Sequence, residues 1–147
     1  YRGFYSVLPL EKIDAFDLGT SAFHSYCYVS TETVMVQAGI IFQHIYAHTF
    51  CSSKTKTIQI GENIYKSRSL KDEFLYNPTG IIDHPTYKIA TTERAIADML
   101  YFNPKYYFDA HDEIDWKKVK EIQKEVGYIW FYQVQKTPYT EVNYINY

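Results

Sequence analysis

The chain has 147 residues, of which 46% are hydrophobic and 22% charged, and its formal net charge is −2. These values are typical of one soluble globular domain that buries its own core, and they exclude a global basic field that would recruit nucleic acid. Two cysteines are too few for a disulfide framework, and no apolar run reaches the length of a membrane span. We therefore expect a cytoplasmic protein with no membrane partner.

The first part of the chain predicts short strands and one helix. Residues 4–8 and 26–29 are apolar or aromatic and predict strands, whereas residues 10–23 contain turn formers and predict turns with at most two turns of helix. Ser30 is placed to cap a helix that Gly39 ends, because a serine hydroxyl accepts hydrogen bonds from exposed backbone amides.

The middle of the chain predicts a group of strands. Residues 45–60 are rich in β-branched and aromatic side chains, and they predict two strands with a turn near residues 52–55. A turn at residues 61–63 leads into a third strand over residues 64–70, where polar and apolar side chains alternate imperfectly. A further turn is predicted at residues 77–80.

The last third predicts one strand and two helices. Residues 87–90 predict a strand that runs into a helix starting near Thr91 and ending before Pro104. A second helix is expected between Asp115, which can cap it, and Gly127, which can terminate it.

The complete pattern predicts a single α+β domain over residues 1–147, with a mostly antiparallel sheet and three or more helices packed on it. No internal repeat and no low-complexity linker divides the sequence. Residues 128–147 are β-prone and aromatic, and they predict a strand pair or an arm that packs on a partner.

One local cluster of basic residues stands out against the negative net charge. Residues 52–71 contain five cations and a single carboxylate, Glu62, so this stretch has a net charge of +4. The cations are Lys54, Lys56, Lys66, Arg68 and Lys71. If the strands pair as a hairpin, these side chains could bind phosphate oxygens or an acidic protein surface. The alternative is an ordinary charged solvent face of a half-buried sheet.

Five possible zinc ligands lie in the first third of the chain, namely His24, Cys27, His44, His48 and Cys51. Their spacing superficially matches a zinc finger. However, residues 44–51 predict a strand, and aromatic residues surround these positions. We interpret the five as packing residues and expect no bound metal.

An acidic segment precedes the last predicted helix and contains Asp109, His111, Asp112, Glu113 and Asp115. Clustered carboxylates can hold Mg²⁺ or act as acid and base, which would suit a metal-dependent hydrolase. Because a helix N-terminus itself favours negative charge, we prefer to interpret the segment as a capped loop.

The helix after Thr91 contains Glu93, Arg94 and Asp98. Arg94 and Asp98 are four residues apart and can pair along the helix, and the guanidinium could also pin a neighbouring loop. We interpret all three as structural residues. The sequence has no Walker loop, dinucleotide-binding glycine pattern, nucleophile elbow or Cys-x-x-Cys motif. We therefore expect no enzymatic activity and no cofactor.

The order of several short motifs resembles the AbiEi-type antitoxins, the transcriptional regulators of type IV toxin–antitoxin and abortive-infection systems. The motifs are RGFY at residues 2–5 with LP at 8–9, YVSTET at 28–33, GII at 39–41, the Thr49 strand and IATTERAIADML at 89–100. Residues 90–100 are the most specific of them. The resemblance covers about residues 1–102, and the segment after residue 103 has no counterpart in the family pattern.

The resemblance implies a regulator of two parts. In that family an N-terminal winged helix binds operator DNA and represses its own operon, and a C-terminal domain supports activity against a nucleotidyltransferase toxin. This chain would be mostly the C-terminal domain, with residues 1–9 left from the connection to a missing winged helix. Operator DNA, through that missing domain, and a toxin protein are the implied partners, and an oligomer is possible. A dimerisation or protein-interaction module without nucleic-acid contact remains the alternative.

Overall fold

A computed structural model of the chain describes Pro9 and residues 12–128. Within this part it contains five α-helices, six β-strands and a short 3₁₀-helix at His111–Glu113. The helices and strands are α1 Ala15–Phe23, β1 Cys27–Val29, α2 Glu32–Gln37, β2 Ala47–Ser52, β3 Lys56–Ile60, β4 Asn63–Ser69, α3 Asp72–Leu75, β5 Ile81–Asp83, β6 Lys88–Ala90, α4 Thr92–Phe102 and α5 Trp116–Val126. The strand predicted at residues 4–8, the inferred connection there and the predicted tail beyond Tyr128 lie outside the described residues.

The six strands form one sheet in the order β3-β4-β2-β1-β6-β5. Strands β1 and β2, β3 and β4, and β5 and β6 pair antiparallel, whereas β1 with β6 and β2 with β4 pair parallel. The predicted α+β class is therefore confirmed, but the sheet is mixed. The tight turn at Gly61, where φ is 60°, folds β3 back onto β4, and β4 then lies between β3 and β2.

Helices cover both faces of the sheet. Tyr28 and Cys51 are register partners in β1 and β2, so they share a face, and both contact Asp98 of α4 there. Phe50 precedes Cys51 and therefore points to the opposite face, where it lies close to Gly19 of α1. Helix α1 thus packs on one face, and α4 packs on the other with α2 and α5 beside it.

Helix α1 is longer than the turns predicted for residues 10–23. Asp14 caps it, accepting hydrogen bonds from two backbone amides of the first turn at 2.9 and 3.3 Å. Gly19, which suggested a turn, lies inside the helix. A Cβ at this position would be 2.5 Å from Cδ1 of Tyr65, so this glycine permits close helix–sheet packing.

The start of α2 also differs from the prediction. Thr31, not Ser30, is the N-cap residue, and its side chain makes no capping hydrogen bond. The Ser30 hydroxyl instead donates to Oδ2 of Asp98 at 2.8 Å. Helix α3 and strand β5 were not predicted, because they have only four and three residues and carry little periodicity.

The remaining predicted elements are confirmed. Strands occur close to the predicted ranges as β1, β2, β3, β4 and β6. Thr91 caps α4 by accepting from the amide of Arg94 at 3.2 Å. Asp115 caps α5, and Gly127 ends that helix with a left-handed φ of 111°. These helix ends follow from local signals that the sequence states directly.

Candidate functional site

Three of the five predicted cations line one surface cleft of about 450 Å³. They are Lys56, Lys66 and Arg68. Lys54 and Lys71 are exposed but do not line this cleft. The structure therefore brings together part of the predicted basic cluster, and the hairpin that does so is β3–β4.

The pairing of β4 with β2 explains which side chains enter this cleft. Lys66 and Arg68 are two residues apart on β4, so both point to one face of the sheet. Their partners in β2 are Thr49 and Cys51, which face α2 and α4. These helices leave the outer part of this face, over β4 and β3, uncovered. The segment from Gln43 to Ala47 forms the rim.

Arg68 is already paired inside the cleft wall. Its Nη1 and Nη2 donate to Oε1 and Oε2 of Glu32 at 2.5 and 2.7 Å, which is the bidentate geometry of a strong charge-assisted pair. Burial opposes ionisation of Glu32, but the hydrogen bonds and charge of Arg68 outweigh it and lower the carboxyl pKa. The same hydrogen bonds raise the pKa of Arg68. Arg68 therefore orders the wall and contributes little uncompensated charge.

Lys66 supplies the positive charge on the uncovered face of the sheet, whereas Lys56, the register partner of Ser67, lines the cleft from the edge strand β3 and alternates to the other face. Among residues 12–128, neither Lys56 nor Lys66 has a carboxylate within ion-pair distance. Both are exposed. Lys66 Nζ lies 5.6 Å from the ring centroid of Tyr46, a distance at which an ammonium is attracted by an aromatic face. The cleft can therefore attract an anionic group without first breaking an ion pair.

A strained residue supports this wall. Thr31 is fully buried and has φ 61° and ψ −129°, a conformation that β-branched residues rarely adopt. Its hydroxyl donates to the carbonyl of Ser30 at 2.7 Å and accepts from Nη1 of Arg68 at 3.0 Å. Local strain of this kind concentrates at functional sites. Sequence reasoning identified Thr31 only as part of a helix start, since positive φ at threonine has no sequence signature.

Exposed aromatic side chains extend the cleft along its rim. Tyr46 and Phe42 are each 71% exposed, and Tyr107 is 65% exposed. Gln43 lines both the basic cleft and an adjoining depression that contains Phe42 and Tyr107. The basic and aromatic surfaces are therefore continuous. This arrangement was not predicted, because loop residues 41–46 carry no periodic signal.

A second charged cluster lies in the core, around Arg94. Its side chain and that of Asp98 are both 0% exposed, and Arg94 Nε donates to Asp98 Oδ1 at 3.1 Å. The other guanidinium nitrogens donate to the carbonyls of Phe74, Asn77 and Thr79 at 2.9, 2.9 and 2.6 Å and to the Tyr28 hydroxyl at 3.0 Å. The expected pairing along the helix and the pinning of a neighbouring loop are both present.

Asp98 is equally well satisfied. Its Oδ2 accepts from the hydroxyls of Tyr28 and Ser30, each at 2.8 Å, and its Oδ1 accepts from Tyr128 Oη at 2.9 Å. Burial, reinforced by the Asp98 charge, holds the pKa of Tyr28 well above its usual value. Glu93 lies half-buried in the first turn of α4, where the helix dipole favours a carboxylate. This network binds α4, β1 and the end of α5 together and leaves no group open to solvent for chemistry.

The candidate metal ligands are not assembled. Among residues 12–128, no three His, Cys, Asp or Glu side chains come together so that they could hold a metal ion. Cys27 and Cys51 are buried, and burial raises the pKa of Cys27 to about 11. In the acidic segment, Asp109 accepts from the amide of Phe42 at 2.8 Å, and Asp115 caps α5. The segment is thus a capped loop around a 3₁₀ turn.

Within the described part of the chain, no helix combines the length and the apolar character that crossing a membrane requires. Comparison of the chain with family models, with curated proteins and with solved structures found no match.

Proposed function

We propose that this chain is the C-terminal domain of an AbiEi-type antitoxin that acts in the cytoplasm, works beside an N-terminal winged helix on operator DNA and counteracts a nucleotidyltransferase toxin. In this proposal the domain is not an enzyme, and the basic cleft contacts an anionic partner. The observation that carries it is the uncompensated Lys66, in a cleft that Lys56 also lines and whose wall is ordered by Arg68.

The position of the most specific motif supports a scaffold role. Residues 90–100 form the end of β6 and most of α4. Their charged residues Arg94 and Asp98 are buried and contact only groups inside the protein. A motif used in this way maintains a fold, which agrees with a domain that presents a binding surface. The functional charges then lie elsewhere, on β3 and β4.

Charge reversal in the full-length protein tests the proposal. Lys66→Glu combined with Lys56→Glu should weaken repression of an operon reporter, rescue from the toxin encoded beside the gene, or both, because two cations become two anions in one cleft. The matched control is Lys54→Glu combined with Lys71→Glu, which makes the same charge change outside the cleft. Retention of both activities by the cleft variant, at normal protein level, would reject this role of the cleft.

The second candidate is a protein-interaction or dimerisation module without nucleic-acid contact. It is favoured by the exposure of Phe42 and Tyr107, 71% and 65%, at one shared depression. Sedimentation of the chain with and without the aromatic segment of residues 128–147 tests this module. A monomer in both forms that captures no partner would argue against it.

A further inference from the structure

We propose that the basic cleft and its aromatic rim bind single-stranded nucleic acid, with a phosphate at Lys66 and a base stacked on Tyr46. This inference rests on the proposed role of the cleft as the surface that meets an anionic partner. It adds the chemical identity of that partner. The carrying observation is the continuity of a cation-lined cleft with unusually exposed aromatic rings.

The positive charge of the cleft indicates that its ligand is an anion. Lys66 lies on the uncovered face of β4, Lys56 lines the same cleft from the edge strand β3, and no described carboxylate pairs with either of them. Arg68 is held by Glu32, so it keeps the wall in place while the lysines remain available. Lysine side chains that neutralise phosphates supply most of the affinity in sequence-independent nucleic-acid binding.

The aromatic rim distinguishes a nucleic acid from a simple anion. Tyr46 is 71% exposed, and the Lys66 ammonium lies over its ring at 5.6 Å from the centroid, so the ring face away from Lys66 remains open for stacking. Phe42 lies four residues before Tyr46, is equally exposed and follows the same rim past Gln43. A positive groove flanked by open aromatic rings is how proteins bind single strands, because each base offers a face for stacking.

The same features disfavour a duplex in this cleft. Bases in a duplex are stacked on one another, so their faces cannot reach Tyr46, whereas unpaired bases can be splayed onto aromatic side chains. The path of a strand is also limited. Asp109 lines the depression beyond Phe42, and its carboxylate would repel a further phosphate. A bound strand therefore covers a short site centred on Lys66 and Tyr46.

Fluorescence anisotropy with the full chain tests this inference. The probes are labelled single-stranded RNA and DNA of about 12 nucleotides, a length within the usual range of site sizes, and a hairpin duplex of equal charge. We expect the single strands to bind more tightly than the hairpin. Tyr46→Ala should weaken binding by about tenfold, which corresponds to the loss of one stacked base, and Tyr46→Phe should retain most of it.

Charge and position are tested separately. Lys66→Glu should weaken binding and reduce its salt dependence, because one phosphate contact is lost. Tyr76→Ala is the matched control, since Tyr76 is 56% exposed but does not line the cleft. The inference would be overturned if the duplex probe and the single strands bound equally well, or if Tyr46→Ala bound the single strands as tightly as the parent chain. So would saturable binding of an acidic protein in place of the oligonucleotides.

The outcome also separates this inference from the proposed function. Loss of repression or toxin rescue in the double lysine variant, without any binding of single strands, would leave the proposed function standing and remove this inference. If single strands bind and the binding depends on Tyr46, but the double lysine variant keeps repression and rescue, the inference stands and the proposed function of the cleft is rejected.

Discussion

The described part of the chain contains two arginine–carboxylate pairs, one fully buried and one partly exposed. The side chains of Arg94 and Asp98 are both 0% exposed, whereas those of Arg68 and Glu32 are 35% and 16% exposed. In the core, every polar side-chain atom of the pair has a hydrogen-bond partner, and all of them except Arg94 Nε bond to groups outside α4. At the cleft, the pair forms a bidentate contact and one further bond to Thr31.

The difference shows how one type of interaction serves two purposes. A fully buried pair is tolerated only because its hydrogen bonds are complete, so it specifies how α4, β1 and α5 fit together. A pair at the surface adds little stability, but it fixes the wall beside Lys66 and leaves that lysine unpaired. The two pairs meet at one corner, where Ser30 donates to Asp98 and Thr31 accepts from Arg68.

The largest expected effect comes from uncharging the core pair. Asp98→Asn preserves shape but leaves the Arg94 guanidinium buried without its counterion. We expect the free energy of unfolding to fall by about 3–5 kcal/mol, measured by urea denaturation of the full chain. Glu121→Gln, an exposed position on α5, is the control and should change it by less than about 0.5 kcal/mol.

If Asp98→Asn does not fold, a milder variant of the core pair can still be compared with the control by its free energy of unfolding. Tyr128→Phe removes only the hydroxyl that donates to Asp98 at 2.9 Å, and it should cost about 1 kcal/mol. The interpretation of the core pair fails if Asp98→Asn is as stable as the Glu121→Gln control.

Thr31 lies between the two pairs, and we expect its substitutions to have an effect of intermediate size. The order of stability of its alanine and glycine variants should be the reverse of the usual one. Alanine is normally more stable than glycine by about 0.5–1 kcal/mol within regular structure. At Thr31, where φ is 61°, alanine retains the strain and glycine relieves it. We therefore expect Thr31→Gly to unfold at higher urea than Thr31→Ala, by about 1 kcal/mol.

Thr57 in β3 provides the matched control for this reversal. It is an exposed strand residue whose φ is negative, so the usual order should hold and Thr57→Ala should exceed Thr57→Gly in stability. The same order at both positions would show that Thr31 carries no strain.

Several parts of the fold were predictable because their signals are local. The start of α4 at Thr91 and both ends of α5, at Asp115 and Gly127, follow from capping and termination within a few residues. Helix α1 was not predicted because glycine is common in turns and Gly19 therefore indicated one. In the structure, Gly19 lies inside the helix, where the absence of a side chain leaves room for the Tyr65 ring. The strand order was not predicted either, because the sequences of β2 and β4 contain no local signal that the two strands pair.

The site was predictable in composition but not in arrangement. The charge count identified Lys66 and Arg68, yet the carboxylate that neutralises Arg68 lies 36 residues away in sequence. Tyr46 gave no signal at all, because a loop aromatic that is buried and one that is exposed look alike in sequence. Only the folded chain distinguishes the paired cation from the available one.

The smallest expected effect concerns the cleft pair and appears as a pH dependence. The pKa of Glu32 in the folded protein lies below its ordinary value of 4.5, because the bonds and charge of Arg68 outweigh the effect of burial. Below pH 4.5 the unfolded chain binds this proton more readily than the folded one. The stability contributed by the pair is therefore complete above that pH, and it is lost as the pH falls through the folded pKa.

Glu32→Gln should accordingly lower the free energy of unfolding at neutral pH by no more than about 1 kcal/mol, because the pair is partly solvent-screened. The difference from the parent chain should shrink as the pH falls below 4.5 and be gone below the folded pKa, where Glu32 is protonated in both states. Urea denaturation at a series of pH values measures it, and Glu125→Gln on the exposed face of α5 is the control. A difference that stays constant with pH would mean that Glu32 stabilises the wall through shape and hydrogen bonding, without a contribution from its charge.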